Sequence, residues 1–280
     1  MVNKVKLPEY DFLGSVYQQT KPDQLAEAFE SIKRQTLKPK YIFLVVDGFI
    51  EKEVEEIIKA YKKVMPIKLI FLKKNKGHGF ALSKGLNECK SEIVLRFDHD
   101  DINFENRAFC IVKELSEGNT DIVGSHVYEF EKNSREFISL KTMPLSHNSI
   151  SRAIFSRNPI NHPSVGFIKK SIINIKGGSY RNIPFYEDYD LWIRALSSGL
   201  IFKNLDTPLV AMRITDQRDR RRGLNLISGE LRLLKTFLEQ SILKGLLFTP
   251  SLIIRIFFAL LPLQVVSFLY TNLLRKNIYK

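Results

Sequence analysis

A chain of 280 residues with 44% apolar and 26% charged side chains has the makeup of one large globular domain, or of a domain with an appendage, and excludes collagen, coiled coil and global disorder. Lys and Arg number 43 against 30 acids, and residues 211–280 alone hold 12 bases and 4 acids, which predicts an anionic partner near the C-terminus, nucleic acid or an acidic membrane surface. Cys89 and Cys110 stand outside any C-x-x-C or Cys/His cluster, which argues against a disulfide scaffold or zinc site and for a reducing compartment.

Residues 1–10 carry charges and no apolar run, so no signal peptide is expected. Apolar residues 12–17 read as a strand. A helix follows over 22–35, with Leu25, Ala28, Phe29 and Ile32 at helical spacing and Pro22 near its first turn. The unbroken apolar run 41–46 ends at Asp47-Gly48 and fits a strand covered on both faces. A helix over 51–64, a strand over 67–72, a helix over 80–89, a strand over 92–97, a helix over 104–115 and a strand from 121 complete the alternation. Such βαβ units predict a mostly parallel sheet whose ligands bind beyond the strands' carboxyl ends, where Tyr17, Asp47, Asn75 and Asp98 fall. From 126 to 215 the alternation stops. Runs 126–130 and 136–140 look antiparallel, and 187–198 reads as a helix.

The tail differs. Residues 216–223 (DQRDRRRG) form a basic loop, and 224–240 a helix with Ile227, Leu231, Leu234 and Leu238 in one stripe. Residues 256–274 run without a charge, flanked by Arg255 and by Arg275, Lys276 and Lys280, and 246–254 adds a second apolar stretch broken by Pro250. Pro262 and Gln264 disfavour a span. Helices lying in an anionic membrane interface are expected, the alternative being a hairpin packed on the preceding domain or on a second subunit.

Chemistry concentrates in four places. Asp98 and Asp100, two apart on a chain read as extended, project to one side and suit a hard divalent cation shared with a substrate's phosphates; an acidic strand-ending turn is the plain alternative. Asp47 can accept from a base N–H or a ribose hydroxyl, or simply end a strand in an Asp-Gly turn. Asn75-Lys76-Gly77-His78-Gly79 leads into a helix, where glycines admit a diphosphate to the helix N-terminus or merely make a turn. Glu187 and Asp188 open a helix, either complementing its dipole or supplying a general base. His162 could line an acceptor cleft or hold a loop. Trp192 could stack on a sugar or pack in the core. Arg221, with Arg218, Arg220 and Arg222, could grip a diphosphate or be solvated.

These segments, in order, resemble glycosyltransferase family 2 enzymes of the GT-A fold: Ser15-Val16-Tyr17, Ser31-Ile32 with Gln35-Thr36, Leu44 to Gly48, Asn75-x-Gly77 with Ala81 and Gly85, Asp98-His99-Asp100-Asp101, and Glu187 to Trp192. Residues 157–163 and 273–276 resemble more narrowly the bacterial exopolysaccharide and O-antigen transferases. The resemblance implies an α/β GT-A catalytic domain over 1–223, its nucleotide-sugar half at about 10–125 and acceptor half at about 126–223, with a membrane-associating helical tail over 224–280. It implies a nucleotide-sugar donor, a UDP-sugar first, contacted by Val16, Tyr17, Asp47, Asn75, Gly77, Asp98 and Asp100. Mn²⁺ or Mg²⁺ would sit on Asp100 and Asp98, and Asp188, beside Glu187, would be the base of an inverting transfer. The acceptor would be a saccharide, lipid-diphosphate-linked, at the cytoplasmic face of the bacterial inner membrane, with no nucleic-acid partner. Val46 stands where many members have a second acid, and Leu82-Ser83 where many have Arg-Asn. A nucleotidyltransferase or a basic nucleic-acid-binding protein are the alternatives.

Overall fold

The computed structural model describes residues 7–132, 136–214 and 223–260. β1 (Tyr10–Val16), β2 (Tyr41–Asp47), β3 (Ile67–Leu72) and β4 (Ile93–Arg96) are parallel and ordered β3-β2-β1-β4. Helices α1 (Pro22–Lys33), α2 (Lys52–Lys62) and α3 (His78–Glu88) connect them. β1 is wholly buried, as its continuous apolar run requires when helices cover both faces.

The second half of the sheet departs from the parallel expectation. β5 (Ile102–Asn103) and helix α4 (Arg107–Ser116) precede the long β6 (Ile122–Phe130). β7 (Ser139–Lys141) pairs β6 antiparallel, as the runs in that region suggest. After α5 (His147–Ala153), β8 (Gly166–Ile168) inserts antiparallel between β4 and β6. Short α6 (Lys169–Ile173) and α7 (Glu187–Ser197) follow, then β9 (Phe202–Arg213), parallel to β6 and antiparallel to β5. The sheet is therefore mixed. β9 escapes sequence reading because Asp206, Thr207 and Pro208 interrupt its apolar pattern. Its register slips around His126↔Pro208, a bulge in which a residue without an N–H does least harm to the ladder.

α8 (Gly223–Gln240) and α9 (Ile242–Leu260) form an antiparallel pair seated on α7. The core-facing side of α8 is Leu233, Thr236 and Phe237 with buried Glu230, not the expected stripe, since Leu231 and Leu238 are exposed. α9 is one helix with Pro250 inside it rather than two segments. Residues 261–280, including most of the long uncharged run, lie outside the described residues.

Candidate active site

The carboxyl ends of the parallel strands meet the start of α7. Ser15, on β1, places Oγ 3.1 Å from His78 Nδ1 in the first turn of α3. His78 Nε2 is 3.4 Å from Arg96 Nη2 at the end of β4 and 4.0 Å from Glu187 Oε1 at the start of α7. Arg96 is fully buried and donates to Leu13 O, to His162 Nε2 at 3.2 Å and to the Asp98 carboxylate. A guanidinium only donates, so His78 accepts at Nε2 and carries its proton on Nδ1 toward Ser15. His162 Nε2 is likewise an acceptor, for Arg96 and for the Tyr180 hydroxyl 3.0 Å away. One polar network thus runs from Asp98 through Arg96 to His78 and Ser15, and the Glu187 carboxylate borders it without a hydrogen bond.

Charge in this network follows burial first. Burial, then Arg96, pushes His78 down to about 4, and the same two causes hold His162 well below the usual imidazole range. Burial alone would raise the Asp98 carboxyl, but Arg96, helped by His162 and His78, outweighs it and keeps that group below the usual carboxylate range. Both histidines are depressed in the folded state, so between about pH 6.5 and 4 the unfolded chain binds more protons than the folded one. The thermal midpoint should therefore fall as pH drops through that window. Solvent reaches 36% of the His78 side chain and screens part of its share. Melts at several pH values should show a shallower slope for His78→Gln; an unchanged slope would remove His78 from this account.

Asp98 to Asp101 do not lie on an extended strand. β4 ends at Arg96, and the acids sit in a turn closed by Asp101 N donating to Asp98 O at 3.4 Å. Strand alternation therefore does not set their directions. Asp101 is buried and accepts from Arg213 N at 2.7 Å, while Arg213 Nε donates to Asp100 O at 3.1 Å. Burial raises the Asp100 carboxyl; His99 partly opposes this and Asp98 adds to it. A half-buried carboxylate pressed by neighbouring negative charge, with no donor from another described side chain, is an acceptor set that fits a hard divalent cation. Among the described residues no cluster of three or more His, Cys, Asp or Glu forms a complete protein cage; phosphate oxygens and water ordinarily fill the remaining positions around Mg²⁺.

The glycine-rich loop is clamped by protein. Both Asp47 oxygens accept backbone amides, from Lys76 at 2.8 Å and Gly77 at 3.0 Å, and Asn75 Oδ1 accepts from Gly77 N at 3.1 Å. Asp47 thus shapes the 75–77 loop whatever else it binds. Gly77 has φ +92°, and a Cβ there would lie 2.5 Å from Asn182 Oδ1; one on Gly79 would lie 2.2 Å from Arg181 O. The glycines admit the 181–182 segment on the side where a Cβ would stand. Val16 is buried in β1, and Tyr17 packs edge-on against His99 at 5.7 Å.

At the start of α7, Asp188 Oδ2 accepts from Asn158 Nδ2 at 2.6 Å and Oδ1 from Tyr189 N at 2.8 Å. Asp190 is turned away, fully buried between Arg194 and Thr236. Two acceptor-side expectations are corrected. Trp192 is fully buried against His162 and Phe202 and cannot reach a sugar; it shares the Asp188 side of α7, but the helix is buried on every side from Tyr189 to Ala195. His162 lies beneath the site as a partner of Arg96, not at a cleft surface. Arg221 and its neighbours Arg218, Arg220 and Arg222 lie outside the described residues. Sequence reading gave no role to Arg96, His78, Tyr180 or Asn158, although a charge at the end of the buried run Ile93-Val94-Leu95 was a visible signal for Arg96. The Ser31 and Gln35 motif is explained as support: Ser31 Oγ accepts from Asn103, and Gln35 bridges Phe104 O and Ala108 N behind the acidic turn.

Comparison with known proteins bears on the family and the fold. The model for "Glycosyl transferase family 2" matches residues 15–175. An Escherichia coli UDP-Gal:α-D-GlcNAc-diphosphoundecaprenol β-1,3-galactosyltransferase is 34% identical over 96% of this chain and 98% of its own length. The amylovoran biosynthesis glycosyltransferase AmsE of Erwinia amylovora is 35% identical over 93% of this chain and 97% of its own. Among solved structures, S. aureus TarS 1–349 in complex with UDP-GlcNAc shares the fold with a TM-score of 0.66 at 15% identity, over 87% of this chain and 71% of that one.

Proposed function

The chain belongs to glycosyl transferase family 2, and on that premise we propose that it moves a hexosyl group from a UDP-sugar to a saccharide carried on a lipid diphosphate, with inversion and with a divalent cation at the Asp98–Asp100 turn. The observation that carries this reading is the convergence of the acidic turn and the start of α7 on one space: Arg96 donates to Asp98 and lies 3.4 Å from His78, and Glu187 Oε1 stands 4.0 Å from the same imidazole. A donor-side carboxylate set and a candidate base facing one space are what a direct displacement needs. The acceptor class is supported by a relative of nearly equal length whose name specifies a GlcNAc-diphosphoundecaprenol acceptor. That likeness extends across α8 and α9, and the membership replaces the nucleotidyltransferase alternative.

In this reading the acceptor hydroxyl donates its proton to Asp188, whose Oδ2 is held by Asn158, as the oxygen attacks the anomeric carbon. One base and one displacement give inversion. Asp100, with Asp98, would hold Mn²⁺ or Mg²⁺, which as a Lewis acid offsets charge on the departing diphosphate. Arg96 keeps Asp98 ionised and aimed, and neutral His78 keeps Arg96 in place. The test is incubation of purified protein with radiolabelled UDP-sugars and a synthetic GlcNAc-diphospholipid. Label should enter the organic phase, disappear with EDTA and return with Mn²⁺. No transfer from any UDP-sugar would overturn the donor and acceptor classes, and EDTA-resistant transfer would overturn the metal.

Peripheral membrane seating at the cytoplasmic face of the bacterial inner membrane belongs to the same proposal. No described helix is long and apolar enough to cross a membrane. The outward side of α9 carries Ile242, Leu243, Leu246, Leu247, Ile253, Ile254 and Phe257, all more than half exposed. A one-sided apolar face without a charge is the signature of a helix lying in an interface. Of the cations expected to flank the apolar stretch, Arg255 faces inward on Glu230, and Arg275, Lys276 and Lys280 lie outside the described residues; Lys244 Nζ is engaged with Ser197, so among the described residues of α9 apolar contact supplies the drive. Flotation with phosphatidylglycerol vesicles should recover the wild type. The triple variant Leu243→Glu, Leu247→Glu, Ile254→Glu should bind at least about 100-fold more weakly, from roughly 1.5–3 kcal/mol per buried apolar side chain. Equal flotation of the two would remove α9 as the anchor.

A further inference from the structure

We infer that Arg255 is a positioning residue that ties the apolar C-terminal helix to the proposed base, an inference that rests on the transferase reading and extends it from the site to the tail. The observation is one side chain reaching every element that holds the Glu187–Asp188 pair. Arg255 Nη1 donates to both oxygens of Glu230 on α8, at 3.0 and 3.2 Å, and Tyr186, the residue before the pair, donates to the same carboxylate at 2.7 Å. Arg255 Nη2 lies 3.4 Å from the hydroxyl of Tyr189, the residue after the pair, and the guanidinium sits over that ring, 5.4 Å from its centroid.

The third arm leads to the other side of Asp188. Arg255 Nη2 donates to Ser156 O at 2.7 Å, and Ser251, one turn back on α9, donates to the same carbonyl at 3.1 Å. Two residues on, Asn158 grips Asp188 Oδ2. Tyr189 closes the loop by donating to Ile154 O at 2.6 Å. α9 therefore fixes the backbone before and after the acidic pair and the segment that supplies its hydrogen-bond donor. Glu230 is 2% exposed, so this ion pair is worth little as net stability compared with an apolar pair, whereas its geometry is specific. A rigid planar group that serves Glu230 through Nη1 and Ser156 O through Nη2 at once is what the single ammonium of Lys cannot reproduce.

A helix whose outer side meets lipid and whose inner side holds the base makes seating of the tail and alignment of the site one event. Displacement of the 154–158 segment would move Asn158 and Asp188 together, and about 1 Å there can cost about 100-fold in rate.

The experiment compares wild type, Arg255→Gln, Arg255→Lys and the double variant Glu230→Gln/Arg255→Gln, which leaves no buried charge unpaired. Each is measured by thermal midpoint, by transfer kinetics and by hydrogen exchange of the amides of residues 154–158 and 186–190. Arg255→Gln and Arg255→Lys should lose about 10- to 100-fold in kcat with donor KM unchanged, and exchange in both segments should quicken. The double variant should regain the thermal midpoint of the wild type and keep the low kcat and fast exchange. Recovery of kcat together with stability would reduce Arg255 to a structural ion pair and overturn the inference, as would unchanged exchange in Arg255→Gln. A wild type that transfers no sugar would instead refute the transferase reading, and the exchange measurements would still decide whether Arg255 holds the two segments.

Discussion

Replacing Asp188 with Asn is expected to lower kcat by roughly 10²–10⁴, the range that general-base catalysis commonly supplies, with donor affinity nearly unchanged. The amide matches the carboxylate in size, and its carbonyl can still accept from Asn158 Nδ2, now 2.6 Å from Asp188. It cannot take up a proton. Steady-state kinetics with the lipid acceptor and calorimetric titration with UDP separate the two effects. Glu187→Gln is the companion measurement, since Glu187 Oε1 stands 4.0 Å from neutral His78, on the other side of the pair from Asn158's hydrogen bond to Asp188. A larger loss at Glu187 than at Asp188 would exchange their roles.

Asp100→Ala should bring transfer down by about three orders of magnitude or more, given the several kcal/mol that a Lewis acid contributes to a departing diphosphate. Its thermal midpoint should hold or rise. The substitution removes a negative charge that raises the neighbouring Asp101 carboxyl, second only to burial, so it relieves a like-charge contact. Asp98→Ala should behave differently. It leaves fully buried Arg96 without its carboxylate, and an unpaired buried charge is strongly destabilising, so activity and midpoint should fall together. The two substitutions in one assay thus separate a cation ligand from a partner of Arg96. Near wild-type transfer by Asp100→Ala in Mn²⁺ would refute the metal assignment.

What could be read in advance follows from which forces are local. The βαβ half was legible because burial on both faces writes itself as unbroken apolar runs, as in β2, with Asp47 marking the end. The second half was not, because β8 owes its place to partners 43 or more residues away, β4 and β6, and is only three residues long. α8 was placed correctly along the chain but rotated wrongly. Its apolar residues lie on two stripes, and the choice fell to Glu230, which is buried only because Tyr186 and Arg255 reach it from α7 and α9. No periodicity in α8 records those partners. The site shows the same division. Acids at strand ends were visible as types, whereas their directions depend on Arg96, Asn158 and Arg213, each supplied by long-range contacts or by a turn that strand alternation does not describe.

The interlock between Gly77, Gly79 and the Arg181–Asn182 segment bears on how such an enzyme could be re-engineered. Residues 75–79 look, in the sequence, like a separable cassette that could be exchanged between relatives. In this chain, however, any side chain larger than hydrogen at 77 or 79 collides with protein, and Asn182 Nδ2 also donates to Lys76 O at 2.9 Å. A chimera carrying a foreign 75–79 loop alone would push the 180s outward and drag Tyr180 from His162. A viable swap has to transplant residues 75–79 and 179–182 as one unit, although about a hundred residues separate them in the chain.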